Sequence, residues 1–519
     1  MHTTPPQSAS ASNALLDRGF SLMQAGDFEG AVACLRQMLA IQPDSILARA
    51  AFGRCLGRIG LREEAISALI EAGRALARTL RKPGQVNALL DVAQELQINQ
   101  AHAAALALID KSLKASPSMA RAHHMRSQAL ERLHDGPGAR QAANRAHILA
   151  PGEANAAIQL ATLEARWGDP ARARSLLETC LNSAQGPARQ RALLELGRLL
   201  DRLGEHHAAF AQLTEAGRLG LATPEAARYD LSAIYQELAA ESERCTPDWI
   251  AANRHDGEDS GPEPIFLLGF YRSGTTLLEQ ILAAHPAIRS SDEADLMSHV
   301  SRTLFRWQPD PQLHWTERFE ALGPQAADRL RAAYRQRAKD CLGGLDNRIL
   351  LDKTALNTIN LGLIRAVFPR ARIVFALRDP RDVLLSCFMQ AFTPNPLTAQ
   401  FLDWSAGARF YGAVMDHWRT MGPVVQAPVT VVRYEQLVAD PRGALAPVLE
   451  ALGLEWHADQ NRFYDKALER SVSTPSYAEV ARPLYASSVA RWRAYSPHFQ
   501  AVRQDLEPHV EAFGYGPWV

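Results

Sequence analysis

Residues 264–276 read Pro-Ile-Phe-Leu-Leu-Gly-Phe-Tyr-Arg-Ser-Gly-Thr-Thr. An apolar run of strand type ends at a glycine and a tight turn follows. Leu277, Leu278, Ile281 and Leu282 then recur at helical spacing. A glycine-bounded loop between a buried strand and a helix start is an anion cradle, because backbone N–H groups converge there and the helix dipole favours negative charge. Gly269 and Gly274 have the spacing of a nucleoside-triphosphate loop, and Thr276 takes the place of its Mg²⁺-binding hydroxyl. The required lysine is missing: Thr275 follows Gly274, and the cation has moved upstream to Arg272. Arg272, Ser273, Gly274, Thr275 and Thr276 together suit the 5′ end of a nucleotide, since a guanidinium grips planar oxyanions at two points.

A second strand-to-helix turn lies at 371–386, Ala-Arg-Ile-Val-Phe-Ala-Leu-Arg-Asp-Pro-Arg-Asp-Val-Leu-Leu-Ser. Arg378 closes the strand and Ser386 follows eight residues later, two helical turns on. An Arg–Ser pair grips a separate phosphate. Two anion sites at the C-terminal edges of two strands describe a nucleotide phosphorylated at both ends, bound where open α/β sheets take their ligands. Glu293 stands in Ser290-Ser291-Asp292-Glu293, where it is either a general base or an acid beside a helix cap; Asp292 competes for the same role. Lys353 follows the apolar run Ile349–Leu351 and Asp352, at the C-terminal edge of an expected strand.

The elements that must position these residues come in two textures. At 519 residues the chain is too long for one core and predicts two or three domains. Only Trp167 of nine tryptophans precedes residue 220, and that first part is rich in Ala, Leu and Arg with helical periodicity. After about residue 262, β-type runs appear at Ile265–Phe270, Ile349–Leu351, Ile373–Leu377 and Val429–Val432. The first part repeats itself: Ala31, Ala65, Ala105, Ala139, Ala173 and Ala209 step by 34, 40, 34, 34 and 36 residues. Flanking positions recur too, as in Gly19, Leu22, Leu35 and Pro43, or Gly53, Leu56 and Leu69. A period of 34 belongs to paired helices whose small residues mark close approach.

Formal net charge is zero, so charge predicts no nucleic-acid partner. The polar N-terminus lacks a secretory pattern, and no apolar run reaches the length of a membrane span. Six scattered cysteines form no CxxC pair and no metal-ligand spacing, which predicts reduced thiols, a cytoplasmic location and no metal.

The chain resembles two known families. Residues 12–220 resemble a tetratricopeptide array of about six repeats, an arrangement whose concave face commonly binds peptides or proteins. Residues from 262 to about 505, within an expected domain of 262–519, resemble the sulfotransferases that use 3′-phosphoadenosine 5′-phosphosulfate (PAPS), and among them the protein-tyrosine sulfotransferases and their bacterial relatives. Arg272-Ser273-Gly274-Thr275-Thr276 matches the family's 5′-phosphosulfate loop, and Arg378 with Ser386 its 3′-phosphate motif. Glu293, 21 residues past Arg272, matches the catalytic glutamate, and Lys353 the lysine near the bridging oxygen of the leaving phosphate. Tyr434 looks like the strand-end tyrosine near the nucleotide; Ser476, Tyr477 and Arg491 look like the segment that closes over it. His285 reads as a helix-end packing residue.

The implied fold is an α superhelix of tetratricopeptide repeats, a linker at 221–261, and a P-loop-like three-layer α/β sulfotransferase domain with a parallel sheet. The implied reaction moves a sulfuryl group from PAPS in line to a hydroxyl on a protein tyrosine, glycan or lipid, leaving 3′,5′-bisphosphoadenosine (PAP), without metal. Two departures stand out. Ser290 and Leu351 replace cysteines of the secretory members, and Asp295 and His299 stand where arginines of the acidic-peptide cleft would be. The acceptor therefore stays open, as do oligomeric state and what the repeats bind. The rival readings are an unusual P-loop kinase and a catalytically silent repeat adaptor.

Overall fold

The computed structural model describes residues 6–79, 83–254, 263–464 and 488–518. The chain divides into two compact units, Met1–Ala184 and Gln185–Val519.

The first unit is a tetratricopeptide-like series of antiparallel helical hairpins, running from Pro6–Gln24 and Phe28–Ile41 to Ala154–Trp167 and Pro170–Leu181. The repeat positions behave as their spacing predicts. Ala31, Ala65, Ala105, Ala139 and Ala173 have no exposed surface. A Cβ at Gly53 would sit 2.7 Å from Leu69 Cγ, so the glycine of one helix admits the leucine of the next. Asp27 and Asp135 cap the second helices of their hairpins by accepting from the N–H groups of Gly30 and Gly138. No described helix is long and apolar enough to cross a membrane.

A further hairpin, Gly186–Arg202 and His206–Leu221, continues the pattern but packs as part of the second unit. Its second helix lies so close to the turn Thr398–Leu402 that a Cβ at Gly217 would collide with the Leu402 carbonyl. Arg198 Nε donates to the carbonyl of Met389 at 2.8 Å, and Asp201 accepts from Tyr495 Oη at 2.7 Å. Beyond it, within the segment expected to link the domains, Ala233–Arg244 and Pro247–Asn253 are helices that bury Ile234, Leu238 and Ile250.

The core of the second unit is a five-stranded sheet: β1 Ile265–Gly269, β2 Ile288–Ser290, β3 Ile349–Lys353, β4 Arg372–Leu377 and β5 Val429–Arg433. All pairings are parallel and the order is β2-β3-β1-β4-β5. Every residue of β1 is buried, as a central parallel strand covered on both faces requires. Ile265 and Leu267 pack with Leu278, Ile281 and Leu282 of the helix Thr275–Ala283. Phe266 points the other way, onto Tyr334 and Phe368, while Phe375 of β4 stacks on Trp418 at 3.7 Å. Helices thus cover both faces in three layers. After β1 the chain builds β2 and β3 on one side, then crosses to β4 on the other. The C-terminal end of β1 is therefore the crevice where such sheets bind ligands.

Candidate active site

The loop leaving β1 is built from left-handed backbone. Arg272 has φ 62° and Gly274 has φ 96°, flanking Ser273. Residues of opposite hand in sequence turn successive N–H groups toward one point. The helix Thr275–Ala283 then begins with no side-chain cap on its first N–H groups. Gly274 is required twice over: by its φ, and because a Cβ there would lie 2.5 Å from Cδ2 of Tyr434. Thr358 locks the strand end, its hydroxyl donating to the Gly269 carbonyl at 2.6 Å and accepting from the Gly269 N–H at 3.2 Å. Ser273 closes the turn on itself, its hydroxyl donating to the Phe270 carbonyl at 2.7 Å.

The two anion motifs of the sequence meet. Arg272 Nε donates to Ser386 Oγ at 2.9 Å, across 114 residues of chain. Arg378 Nη1 donates to the Arg272 carbonyl at 3.0 Å and Nη2 to the Ser488 carbonyl at 2.6 Å. The Arg378 guanidinium lies 4.6 Å from the centre of the Tyr434 ring, a cation–π contact that orients it. Its Nε is buried without a hydrogen-bond partner among the described residues. A buried donor of this kind, beside uncapped helix N–H groups and a glycine cradle, fits a phosphate-bearing ligand.

On the other side of β1, β3 ends in Asp352 and Lys353, which alternate between faces. Asp352 accepts from Tyr334 Oη at 2.9 Å, and burial pushes its carboxyl up to about 7. Lys353 turns to the opposite face. Its ammonium is fully buried, ion-paired with Glu293 and 3.3 Å from Glu279 Oε2. Burial works against that charge; Glu279 and Glu293 overcome it and hold the lysine pKa above its ordinary value. The turn carrying Glu293 is strained, with Asp292 at φ 48° and Glu293 at φ 59°. It is pinned to β3: Ser291 N–H donates to the Leu351 carbonyl at 2.9 Å, and Lys353 N–H to Ser291 Oγ at 3.0 Å.

Arg272, Ser386, Arg378, Tyr434 and Gly274 thus form one cluster, and Lys353 with Glu293 a second, at the ends of adjacent strands. Thr275 and Thr276 are buried at the helix start. Arg491 pairs with Asp201, with Nη2 3.3 Å from Met389 Sδ. Ser476 and Tyr477 fall outside the described residues. His285 accepts from the Ala287 N–H through Nδ1 at 3.1 Å, a helix-end role. Glu279, Ser291 and Thr358 were not singled out from the sequence. A lone acid in the apolar helix Leu-Leu-Glu-Gln-Ile-Leu was the signal available for Glu279.

Residues 264–458 match the sulfotransferase family model. An uncharacterized protein of Aquifex aeolicus (strain VF5) is 28% identical over 344 residues, covering 64% of this chain and 43% of its own length. Protein-tyrosine sulfotransferase A of Caenorhabditis elegans is 22% identical over 274 residues, covering 50% of this chain and 70% of its own. The crystal structure of a tetratricopeptide repeat protein from Parabacteroides merdae aligns with 48% of this chain and 95% of its own, at 16% identity and a TM-score of 0.34. The chain spans less than half the length of the Aquifex relative. Its C-terminal half carries a sulfotransferase family domain whose homologues include protein-tyrosine sulfotransferases.

Beside the Arg272 cluster lies a cavity of about 200 Å³, walled by Leu194 and Leu213 of the hairpin and by Phe388, Phe392, Phe401 and Leu402. Phe392 and Phe401 also touch Tyr271, the neighbour of Arg272, with ring centres 5.5 Å and 5.9 Å away.

Proposed function

We propose that the second unit transfers a sulfuryl group from PAPS to a hydroxyl acceptor. The observation that carries this reading is the arrangement at the strand ends: an arginine–serine–arginine anion grip after β1 and β4, beside the buried Lys353 at the end of β3 paired with the solvent-reached Glu293 after β2. The N–H groups of residues 274–276 and the Arg272 guanidinium hold the 5′-phosphosulfate, while the Ser273 N–H closes the turn onto the Phe270 carbonyl at 3.2 Å. Arg378 and Ser386 hold the 3′-phosphate, Tyr434 keeping the Arg378 guanidinium in place. In the reaction Glu293 takes the proton of the acceptor hydroxyl as its oxygen bonds to sulfur. The bond from sulfur to the 5′-phosphate oxygen breaks, and Lys353 stabilises the charge that collects on that oxygen. The products are a sulfate ester, PAP and a proton on Glu293. Such a reaction asks the protein for positioning and charge stabilisation. Among the described residues no cluster of His, Cys, Asp and Glu could hold a metal ion.

The homologues named protein-tyrosine sulfotransferases favour a tyrosine acceptor. Asp295, where the acidic-peptide cleft would carry arginine, is paired with Arg302, so the acceptor's flanking charge is a separate question. The helical repeats are proposed to recruit a protein or peptide. The test is a ³⁵S-sulfate transfer screen from PAPS over tyrosine peptides, glycans and lipids, with PAP and Mg·ATP binding measured alongside. Transfer to an acceptor, with Mg²⁺-independent PAP binding, supports the reading; preference for Mg·ATP and no sulfate transfer sinks it.

A further inference from the structure

Glu279 has no part in the chemistry derived above, yet it is fully buried on the helix that follows the anion loop. A carboxylate among Leu277, Leu278, Ile281 and Leu282 costs several kcal/mol of desolvation unless it is paired. Its two oxygens are used differently. Oε2 lies 3.3 Å from Lys353 Nζ, and Oε1 accepts from the hydroxyl of Ser290. Ser290 Oγ also accepts from the Asp292 N–H at 3.0 Å, at the start of the left-handed turn that presents Glu293. One hydroxyl thus ties the buried carboxylate to the turn bearing the proposed base. Lys353 has a carboxylate on each side. The Glu279 side chain is 0% exposed; that of Glu293 is 40% exposed and open to an acceptor.

We infer that Glu279 is a positioning residue, which anchors the Lys353 ammonium from the buried side while Glu293 engages the acceptor and Lys353 serves the leaving oxygen. The charge balance gives the reason. With Glu279 present, one ammonium and two carboxylates carry a net charge of −1, which becomes zero when Glu293 takes the acceptor proton. Without Glu279 the same step would take the lysine–glutamate pair from neutral to +1 and leave the buried ammonium with the leaving oxygen as its one remaining anionic partner, a costly arrangement in a low-dielectric site. Glu279 therefore keeps Lys353 charged through the step in which its first partner is neutralised. Burial opposes both charges: at Lys353 it is overcome by Glu279, Glu293 and, from the same turn, Asp292, while at Glu279 it lifts the carboxyl above its ordinary value against the pull of Lys353 and Ser290, so the ammonium is what keeps Glu279 ionised. The inference rests on the transfer chemistry proposed above.

The test compares Glu279→Gln and Glu279→Asp with the full wild-type chain, using PAPS and a tyrosine-containing peptide, from pH 6 to as far above 10.5 as the chain stays folded, because the wild-type lysine limb lies above that ordinary value. Glu279→Gln is expected to lower kcat about 10-fold or more, the scale on which losing an orienting partner acts, with donor KM within about 2-fold. Its alkaline limb should move to lower pH, because Lys353 gives up its proton more easily. Glu279→Asp keeps the charge and should return the limb toward the wild-type position. A Gln variant with wild-type kcat and limb overturns the inference. So does an equal kcat loss in both variants with the limb unmoved, since that is the mark of packing alone. If Glu279→Gln does not fold, Ser290→Ala carries the same test through the hydroxyl that holds Oε1. A wild-type chain that transfers sulfate to no acceptor sinks the reaction instead. A crystal structure of Glu279→Gln then decides the anchoring: a displaced Lys353 Nζ supports it and an unmoved one overturns it.

Discussion

A lysine with no exposed surface holds its charge only through its neighbours, and Lys353 has two carboxylates for that purpose. Glu293 is the one of the pair that solvent reaches, which is where an acceptor hydroxyl must come. Glu293→Ala should lower sulfate transfer about 10²-fold or more while leaving PAP affinity near wild type. Unchanged turnover would remove Glu293 from the base role. Arg378→Ala acts on the other cluster and should weaken PAP binding, read by calorimetry, about 10-fold or more, on the scale of one lost charge-assisted hydrogen bond. Equal PAP affinity in that variant would mean that the 3′-phosphate is held elsewhere. At this scale much was legible in the sequence. Arg272, Arg378, Ser386, Glu293 and Lys353 each stand at a strand end or a fixed spacing from one. Glu279 was not legible, because its importance depends on which strand ends opposite its helix. Ser273 was read as a ligand contact by its place in the loop; that its hydroxyl also closes the turn onto Phe270 is a backbone detail no spacing shows. Arg491 was assigned by resemblance; its placement on Asp201 is a contact between segments 290 residues apart.

Among the elements, the β1-to-helix turn depends on backbone of the wrong hand for most residues. Gly274→Ala should cost about 1–2 kcal/mol from its left-handed φ alone, and more from the contact with Tyr434. The expected outcome is weakened PAP binding together with a lower Tm; a variant with wild-type values of both would show that the loop re-forms freely. The helix Ala233–Arg244 makes a different prediction. Burial pushes its Glu241 up to about 8, against the pull of the Gly362 N–H that donates to it at 2.8 Å. In the unfolded chain the same carboxyl titrates near 4.5. The folded state therefore keeps a proton that the unfolded state gives up. The associated stability is fully present below that unfolded value and is lost as pH rises through about 8. Glu241→Gln keeps the acceptor for Gly362 and removes the titration. Its Tm relative to wild type should rise steadily from pH 5 to 8.5, as scanning calorimetry would show; a difference constant with pH would mean that Glu241 is charged throughout.

Over the whole molecule, the compact units divide at residues 184 and 185 and not where the helical repeat stops. The hairpin Gly186–Arg202 and His206–Leu221 gives Arg198, Asp201 and Gly217 to the second unit and walls the cavity beside Tyr271. Removing residues 1–184 should leave a cooperative transition and PAP binding near wild type. Removing residues 1–220 should lower the Tm or abolish the transition, because the Leu402 turn and the Met389 carbonyl lose their partners. Equal behaviour of the two truncations would show that the hairpin is dispensable.

The sequence by itself determined the repeat, the parallel-sheet domain and the two anion motifs. These rest on local periodicity, glycines at obligatory turns, and residue types at strand ends. Only the tertiary structure decided that Arg272 meets Ser386, that Lys353 sits between Glu279 and Glu293, and that the last hairpin belongs with the sheet. Each depends on the order β2-β3-β1-β4-β5 and on which faces are buried, which are long-range outcomes of packing that no local pattern encodes.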